Sequence, residues 1–291
     1  MGAEPPRPDA DPEPRGPAIG QAAEHSPIGA ADADRAARSY WEATADEYQA
    51  EHGAFLSGAA GAGTGFVWGP EGRTEADLQV LATAGGLPGL RILEVGCGAA
   101  QCSAWLASRG AIAIGLDIAV AQLRHARTGG DAAHLVAATA TALPFADDSF
   151  DCAFSAYGAV QFVADLDRLL AEVSRVLRPG GRWAFSVTHP IRWAFPDDPS
   201  GAGLAVSTSY FDRTPYVERA ADGTVEYAEV HRTLGDYVSA MVRAGFRLDT
   251  LIEPEWPDWN EQEWGGWSPL RGHYLPGTLI LGGRTPSTST D

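Results

Sequence analysis

From Leu90 onward the chain alternates short apolar runs with segments of helical period. Leu90 to Val95, Ala111 to Leu116, Leu135 to Ala138, Asp151 to Ser155, Arg182 to Val187, Arg247 to Glu253 and Gly277 to Leu281 read as seven strands, most of them apolar on both faces. Helical runs at Cys102 to Ser108, Val120 to Arg127, Leu166 to Leu177 and Thr233 to Ala244 fall between them. Repeated strand, helix, strand units with right-handed crossovers predict an α/β fold, a doubly wound and mostly parallel sheet covered on both faces.

Two regions break the alternation. Ahead of the sheet, Asp32 to His52 has helical composition, with Ala36, Tyr40, Ala43 and Tyr48 sharing a stripe, and a second helical run near Thr74 to Thr83 opens on Thr74 as N-cap. These form a helical cap over residues 32–89. Between His189 and Tyr227 an insertion too long for a simple connection follows the fifth strand, where long loops are lids or binding segments. Residues 1–31, rich in proline, glycine and charge without an apolar period, read as a disordered head. Residues 32–284 read as one domain and 285–291 as a flexible tail.

The formal net charge is −17, and all 21 basic residues are Arg, a usage that suggests a GC-rich genome. A field of this sign repels phosphate backbones and anionic lipid, so nucleic acid and membrane are poor partners, and a small-molecule substrate is expected. With no basic start followed by an apolar run, and no segment near the ~20 apolar residues of a membrane span, the chain reads as soluble and cytoplasmic, as monomer or homodimer. Cys97, Cys102 and Cys152 read as small core residues. Asp147, Asp148 and Asp151 read as a solvated turn, so no metal is expected.

The candidate chemistry starts at RILEVGCGAAQCS, Arg91 to Ser103, where an apolar strand ends on a carboxylate and enters a glycine turn at the start of a helix. Gly96 and Gly98 leave room for a ligand to approach backbone N–H groups. A dinucleotide site would want a third glycine where Cys102 stands, and Glu94 would repel a pyrophosphate while suiting an amino group. Asp117 lies about twenty residues past the glycines, the distance at which a carboxylate bridges ribose hydroxyls. Ribose and a cationic amine without phosphate describe S-adenosylmethionine (SAM). Glu94 and Asp117 could equally cap the helices that follow them.

Four ordered blocks, ILEVGCGAAQ, GLDIAVAQLRHAR, ATALPFADDSFDCAFSAYGAVQFV and LAEVSRVLRPGGRWAFSVTHP, resemble the class I SAM-dependent methyltransferases, in the small-molecule subgroup of quinone, sterol and natural-product enzymes. The resemblance implies a Rossmann-like seven-stranded fold with an N-terminal helical lid, SAM as methyl donor and S-adenosylhomocysteine (SAH) as product. It implies Glu94, Gly96 and Gly98 around the methionine portion, Asp117 and Ile118 at the ribose and adenine edge, and Cys97, Gln101 and Gln122 among the cofactor contacts. Thr139 and Ala140 would meet adenine, Ser155 and Ala156 would face the methyl donor, and Tyr40 on the lid would close over it. Two departures stand out: Ala100 replaces a family glycine, calling for negative φ or a more open turn, and Thr139 replaces a common Asp.

Methyl transfer from a sulfonium needs an in-line nucleophile and a dry site, and a base only if the nucleophile arrives protonated. His189 and His231 are the candidates for that base, each with the alternative of an orienting hydrogen bond. Tyr157, Arg192, Tyr210 and Arg232 are the substrate-side candidates, the arginines to clamp a carboxylate or phosphate, a role Arg271 could share. The reading is a methyltransferase acting on a small organic acceptor in specialised metabolism. The alternatives are a SAM-binding protein without transferase activity and an NAD-dependent oxidoreductase.

Overall fold

The computed structural model describes residues 22–58, 65–81, 85–128 and 133–287. A seven-stranded sheet forms its centre, built from β2 (Arg91–Val95), β3 (Ile112–Asp117), β4 (His134–Ala137), β5 (Phe150–Ser155), β6 (Leu177–Thr188), β9 (Arg247–Ile252) and β10 (Thr278–Arg284) in the order β4-β3-β2-β5-β6-β10-β9. The pairs from β4 to β6 are parallel, and β10 runs antiparallel to both its neighbours. The order reverses between β2 and β5, so the loops leaving their carboxyl ends open into a crevice there.

Helices α4 (Gln101–Ser108), α5 (Val120–Thr128), α6 (Leu166–Val176) and α7 (Leu234–Arg243) follow the strands at the expected places. In α6, Leu166, Leu169, Leu170, Val173 and Val176 are buried at i, i+3, i+4, i+7 and i+10, which seats one face on the sheet. Asp165 starts the helix by accepting the Arg168 N–H at 2.9 Å. One core layer gathers Leu93, Val95, Phe185 and Leu279 against α6 and α7; the other gathers Ile92, Phe154 and Ile280 against Phe66, Trp68 and Trp105.

Around this frame lie β1 (Ala22–His25), α1 (Ala30–Ala43), α2 (Ala45–Leu56), α3 (Glu75–Leu78), β7 (Tyr216–Arg219), β8 (Val225–Glu229) and α8 (Pro269–Gly272). The insertion folds back on itself, for β7 pairs with β8, and β1 adds to the free edge of β7 to complete a second, three-stranded antiparallel sheet. This corrects the disordered head: residues 1–21 lie outside the described residues, but 22–25 are a strand, because the insertion offers an unpaired edge that the sequence alone does not reveal. The tail is corrected too, since Thr285 is buried and its hydroxyl donates to the Arg178 carbonyl at 2.8 Å. Residues 288–291 lie outside the description. Among the described residues no helix is long and apolar enough to cross a membrane.

Candidate functional site

A cleft of about 1160 Å³, counting the open space at its mouth, lies over the carboxyl ends of β2, β3 and β5 beneath α1 and α2. The glycine turn forms its floor. At Gly98 a Cβ would meet only Gln122 Oε1, at an ordinary contact distance of 3.7 Å, so it is the left-handed φ of +52 that favours glycine. Gly96 lacks a side chain for another reason: a Cβ there would lie 2.7 Å from that of Ala159 and 2.9 Å from its backbone nitrogen, so its bareness lets the loop after β5 cross the turn. Ala100 takes φ +54, ψ 32, so the expectation of negative φ is corrected. The turn is left-handed at this alanine, at a steric cost of about 1 kcal/mol.

Both carboxylates at the strand ends line the cleft while holding backbone N–H groups, Glu94 at the start of α4 and Asp117 in the turns beside it. Glu94 Oε2 accepts the Ser103 N–H at 2.9 Å and the Ser103 hydroxyl at 2.5 Å, inside α4. Asp117 accepts the Gly98 N–H at 2.8 Å on one oxygen and the Ala119 N–H at 2.9 Å on the other. Each bond uses one lone pair, so both carboxylates keep acceptor capacity for a ligand in the cleft they line. Burial pushes Glu94 up to about 8, with the Asp117 charge adding to the effect, and pushes Asp117 above the ordinary carboxylate range. Burial also holds Cys97 and Cys102 as thiols.

The third acid comes from the cap. Asp34 on α1 lines the cleft, and its Oδ2 lies 3.3 Å from Thr139 Oγ and 3.4 Å from Thr141 Oγ. A carboxylate absent from the strand at Thr139 is thus supplied from a helix more than a hundred residues away. Gln49 on α2 ties the cap down: its Nε2 donates to Gln122 Oε1 at 2.9 Å and its Oε1 accepts from Gln101 at 3.0 Å. Trp41, Tyr48 and Trp264 complete the aromatic roof. Among the described residues, the lining contains three carboxylates and no Arg, Lys or His. Such a wall suits a cationic ligand without phosphate, which is what SAM is, and repels a dinucleotide.

Residues 93–185 match the family model described as methyltransferase domain. A demethylmenaquinone methyltransferase of Mycobacterium marinum is 31% identical over 200 residues, covering 66% of this chain and 74% of that enzyme. The chain belongs to the SAM-dependent methyltransferases. A malonyl-[acyl-carrier protein] O-methyltransferase of Pseudescherichia vulneris is 41% identical over 114 residues, 39% of this chain and 45% of that enzyme, so the chain spans under half its length. A crystal structure of a SAM-dependent methyltransferase from Mesorhizobium loti superposes with TM-score 0.60 at 28% identity, covering 74% of this chain and all of the other.

In this methyltransferase the cleft brings together Glu94, Gly96, Cys97, Gly98, Gln101, Asp117, Ile118, Gln122, Thr139, Ala140, Ala156 and Tyr157. Tyr157 sits at φ +53, a conformation a non-glycine residue seldom adopts. Its N–H donates to Ser186 Oγ at 2.7 Å and its hydroxyl accepts from Thr188 at 3.1 Å. Ser155 is instead wholly buried, its hydroxyl accepting the Ala159 N–H at 3.2 Å. Tyr40 points the other way, into a second cavity of about 1290 Å³, open space included, that lies between α1 and the small sheet.

The remaining substrate-side and catalytic expectations are redrawn. Arg192 lines the second cavity, but its guanidinium already pairs with Asp197 at 3.1 Å and Glu229 at 3.5 Å. Arg232 is buried and donates to the carbonyls of Val163 and Ala164 at 2.6 and 2.9 Å, bracing the turn after Val160–Phe162. Arg271 is fully buried on the carbonyls of Pro196 and Gly266. The Tyr210 hydroxyl accepts the Leu234 N–H at 2.9 Å, outside both cavities.

His189 Nδ1 accepts the Ile191 N–H at 3.1 Å, so Nε2 carries the proton and donates to Glu253 at 2.8 Å. Both nitrogens are committed, and neither cavity includes the ring. His231 Nε2 donates to the Tyr210 carbonyl at 2.7 Å, and its ring lies behind Trp193. Asp147 and Asp151 pair with Arg175 and Arg178, and among the described residues no His, Cys, Asp and Glu group is arranged to hold a metal.

Sequence reasoning missed Asp34, Trp41 and Gln49. The stripe through Ala36 and Tyr40 is one buried face of α1, but Asp34, Ala37 and Trp41, spaced i, i+3, i+7, form a second face over the cleft. A helix packed on both sides has no single apolar stripe.

Proposed function

We propose that the cleft under α1 and α2 is the SAM site, and that the acceptor is a small molecule of specialised metabolism. The observation that carries the cofactor reading is the lining of three carboxylates with no basic residue. Glu94 and the Gly96 to Gly98 turn would hold the methionine portion, Asp117 the ribose, and Asp34 with Thr139 the polar edge of adenine. When bound, SAM supplies a methyl group activated on a sulfonium.

The chain's own residues contribute alignment and dryness. Trp41, Tyr48 and Trp264 roof the cleft, and aromatic faces favour a sulfonium charge. Gln49 holds the roof shut through both of its amide hydrogen bonds. Tyr157, held by Ser186 and Thr188 in its left-handed conformation, stands at the end of β5 where the family resemblance puts the methyl donor. The two histidines are positioning residues for the loops around the acceptor side.

Calorimetric titration with SAH and with NAD tests the reading. SAH should bind and NAD should not, and Asp117→Ala should weaken SAH by about 2 to 4 kcal/mol through loss of charge-assisted bonds to the ribose and of its own turn contacts. Equal SAH affinity in a folded Asp117→Ala protein overturns the assignment. Incubation with a metabolite library, read by mass for one added methyl, then finds the acceptor.

A further inference from the structure

We propose that the second cavity is a binding site for an organic ammonium ion, separate from the SAM cleft. Five aromatic side chains, Tyr40, Trp193, Phe195, Tyr216 and Tyr227, line the space together with Asp197, Glu218 and Glu229. Tyr227 meets Tyr40 at 4.7 Å and 60° and Tyr216 at 6.2 Å and 75° between ring centroids and planes, so the rings stand as differently tilted walls. A box of ring faces backed by carboxylates is the chemistry that recognises ammonium.

The charge count decides the sign. Arg192 is the one guanidinium among the described lining residues, against three carboxylates, so with His25 counted neutral the walls carry a net charge of −2. Arg192 is already satisfied by Asp197 and Glu229, and its guanidinium lies 4.9 Å from the Trp193 ring centroid, itself a cation resting on this aromatic wall. An anion would have to displace one of those carboxylates and leave it buried without a partner, which is costly. A cation needs no such exchange, and the net charge of −17 draws it in.

Only a layer of rings separates this cavity from the first. Tyr40 packs on Trp41 at 5.1 Å and Tyr227 on Phe162 at 5.9 Å, and Trp41 and Phe162 line the SAM cleft. An ammonium ion held here therefore lies behind the rings and out of line with a methyl group in the SAM cleft, and Glu229, the most buried carboxylate of the cavity, is the counter-ion it meets.

The test uses SAH-saturated protein and benzyltrimethylammonium, a cation that cannot itself be methylated, with phenylacetate as the anionic counterpart, each by calorimetry. The cation should bind and the anion should not, and Tyr227→Leu and Glu229→Gln should each weaken the cation about fivefold to tenfold while SAH affinity holds. Tyr216→Leu, at a half-buried position, serves as the third variant if either of the others fails to fold. Phenylacetate binding as tightly as the cation, no cation binding to protein that binds SAH, or cation binding indifferent to the folded variants overturns the amine inference and leaves the SAM reading standing. Failure of SAH to bind overturns the SAM reading alone, and the same cation titration on the ligand-free protein then decides the amine inference.

Discussion

Tyr40 and Trp41, consecutive on α1, hold their rings 5.1 Å apart at 83°, and each lines a different cavity. Successive residues on a helix project about 100° apart, so one short segment serves as the partition between the SAM cleft and the second cavity. Trp41→Ala should weaken SAH of order tenfold, the loss of one aromatic wall. Tyr40→Leu should leave SAH affinity within about twofold, since that ring faces the other space. Equal losses in both variants, by calorimetry, would remove the partition.

Glu94 gives the cleft a pH signature. Its carboxyl is pushed from 4.5 up to about 8 by burial, so the folded ligand-free protein keeps a proton that the unfolded chain releases. That term lowers stability as pH rises from about 4.5 to about 8. Glu71, buried and pushed up to about 7, acts in the same direction. Glu94→Gln should therefore lose less melting temperature than wild type across this window. In wild type the thermal shift given by SAH should grow with pH, because a cationic amino group favours the ionised carboxylate. Parallel melting curves against pH for the two proteins would exclude this role for Glu94.

For His189 the expected loss is structural. Its ring links Ile191 to Glu253, and His189→Ala removes two hydrogen bonds, costing about 1 to 3 kcal/mol of stability by denaturant titration. SAH affinity should stay unchanged. Turnover that falls more than tenfold in a His189→Gln protein of wild-type stability would restore the ring to the chemistry.

Truncation through Ser26 removes β1, along with the Glu24 to Arg219 pair at 2.8 Å and the His25 wall of the second cavity. Melting temperature should drop by a few degrees, on the order of 1 kcal/mol. Benzyltrimethylammonium should bind more weakly to the truncated protein while SAH binds as before. Unchanged cation affinity would show that β1 is not part of the cation site.

The sequence by itself determined the central sheet, the glycine turn and the two strand-end carboxylates. These are local signals: apolar runs of strand length between helical periods, and a carboxylate entering Gly96 and Gly98 at fixed spacing. The capping alternative holds for Glu94, which accepts the Ser103 N–H in the first turn of α4 while it lines the cleft, but not for Asp117, whose bonds go to Gly98 and to Ala119 ahead of α5. Tertiary structure alone decided what required distant segments to meet. Asp34 reaches Thr139, Gln49 spans Gln101 and Gln122, and β1 pairs with β7 almost two hundred residues later. It also decided which charges were free. Arg192, Arg232 and Arg271 look alike as candidate clamps in sequence, but the fold commits the first to carboxylates and the other two to backbone carbonyls. A buried guanidinium must find acceptors wherever the chain brings them, and nothing in its neighbouring residues records where that is.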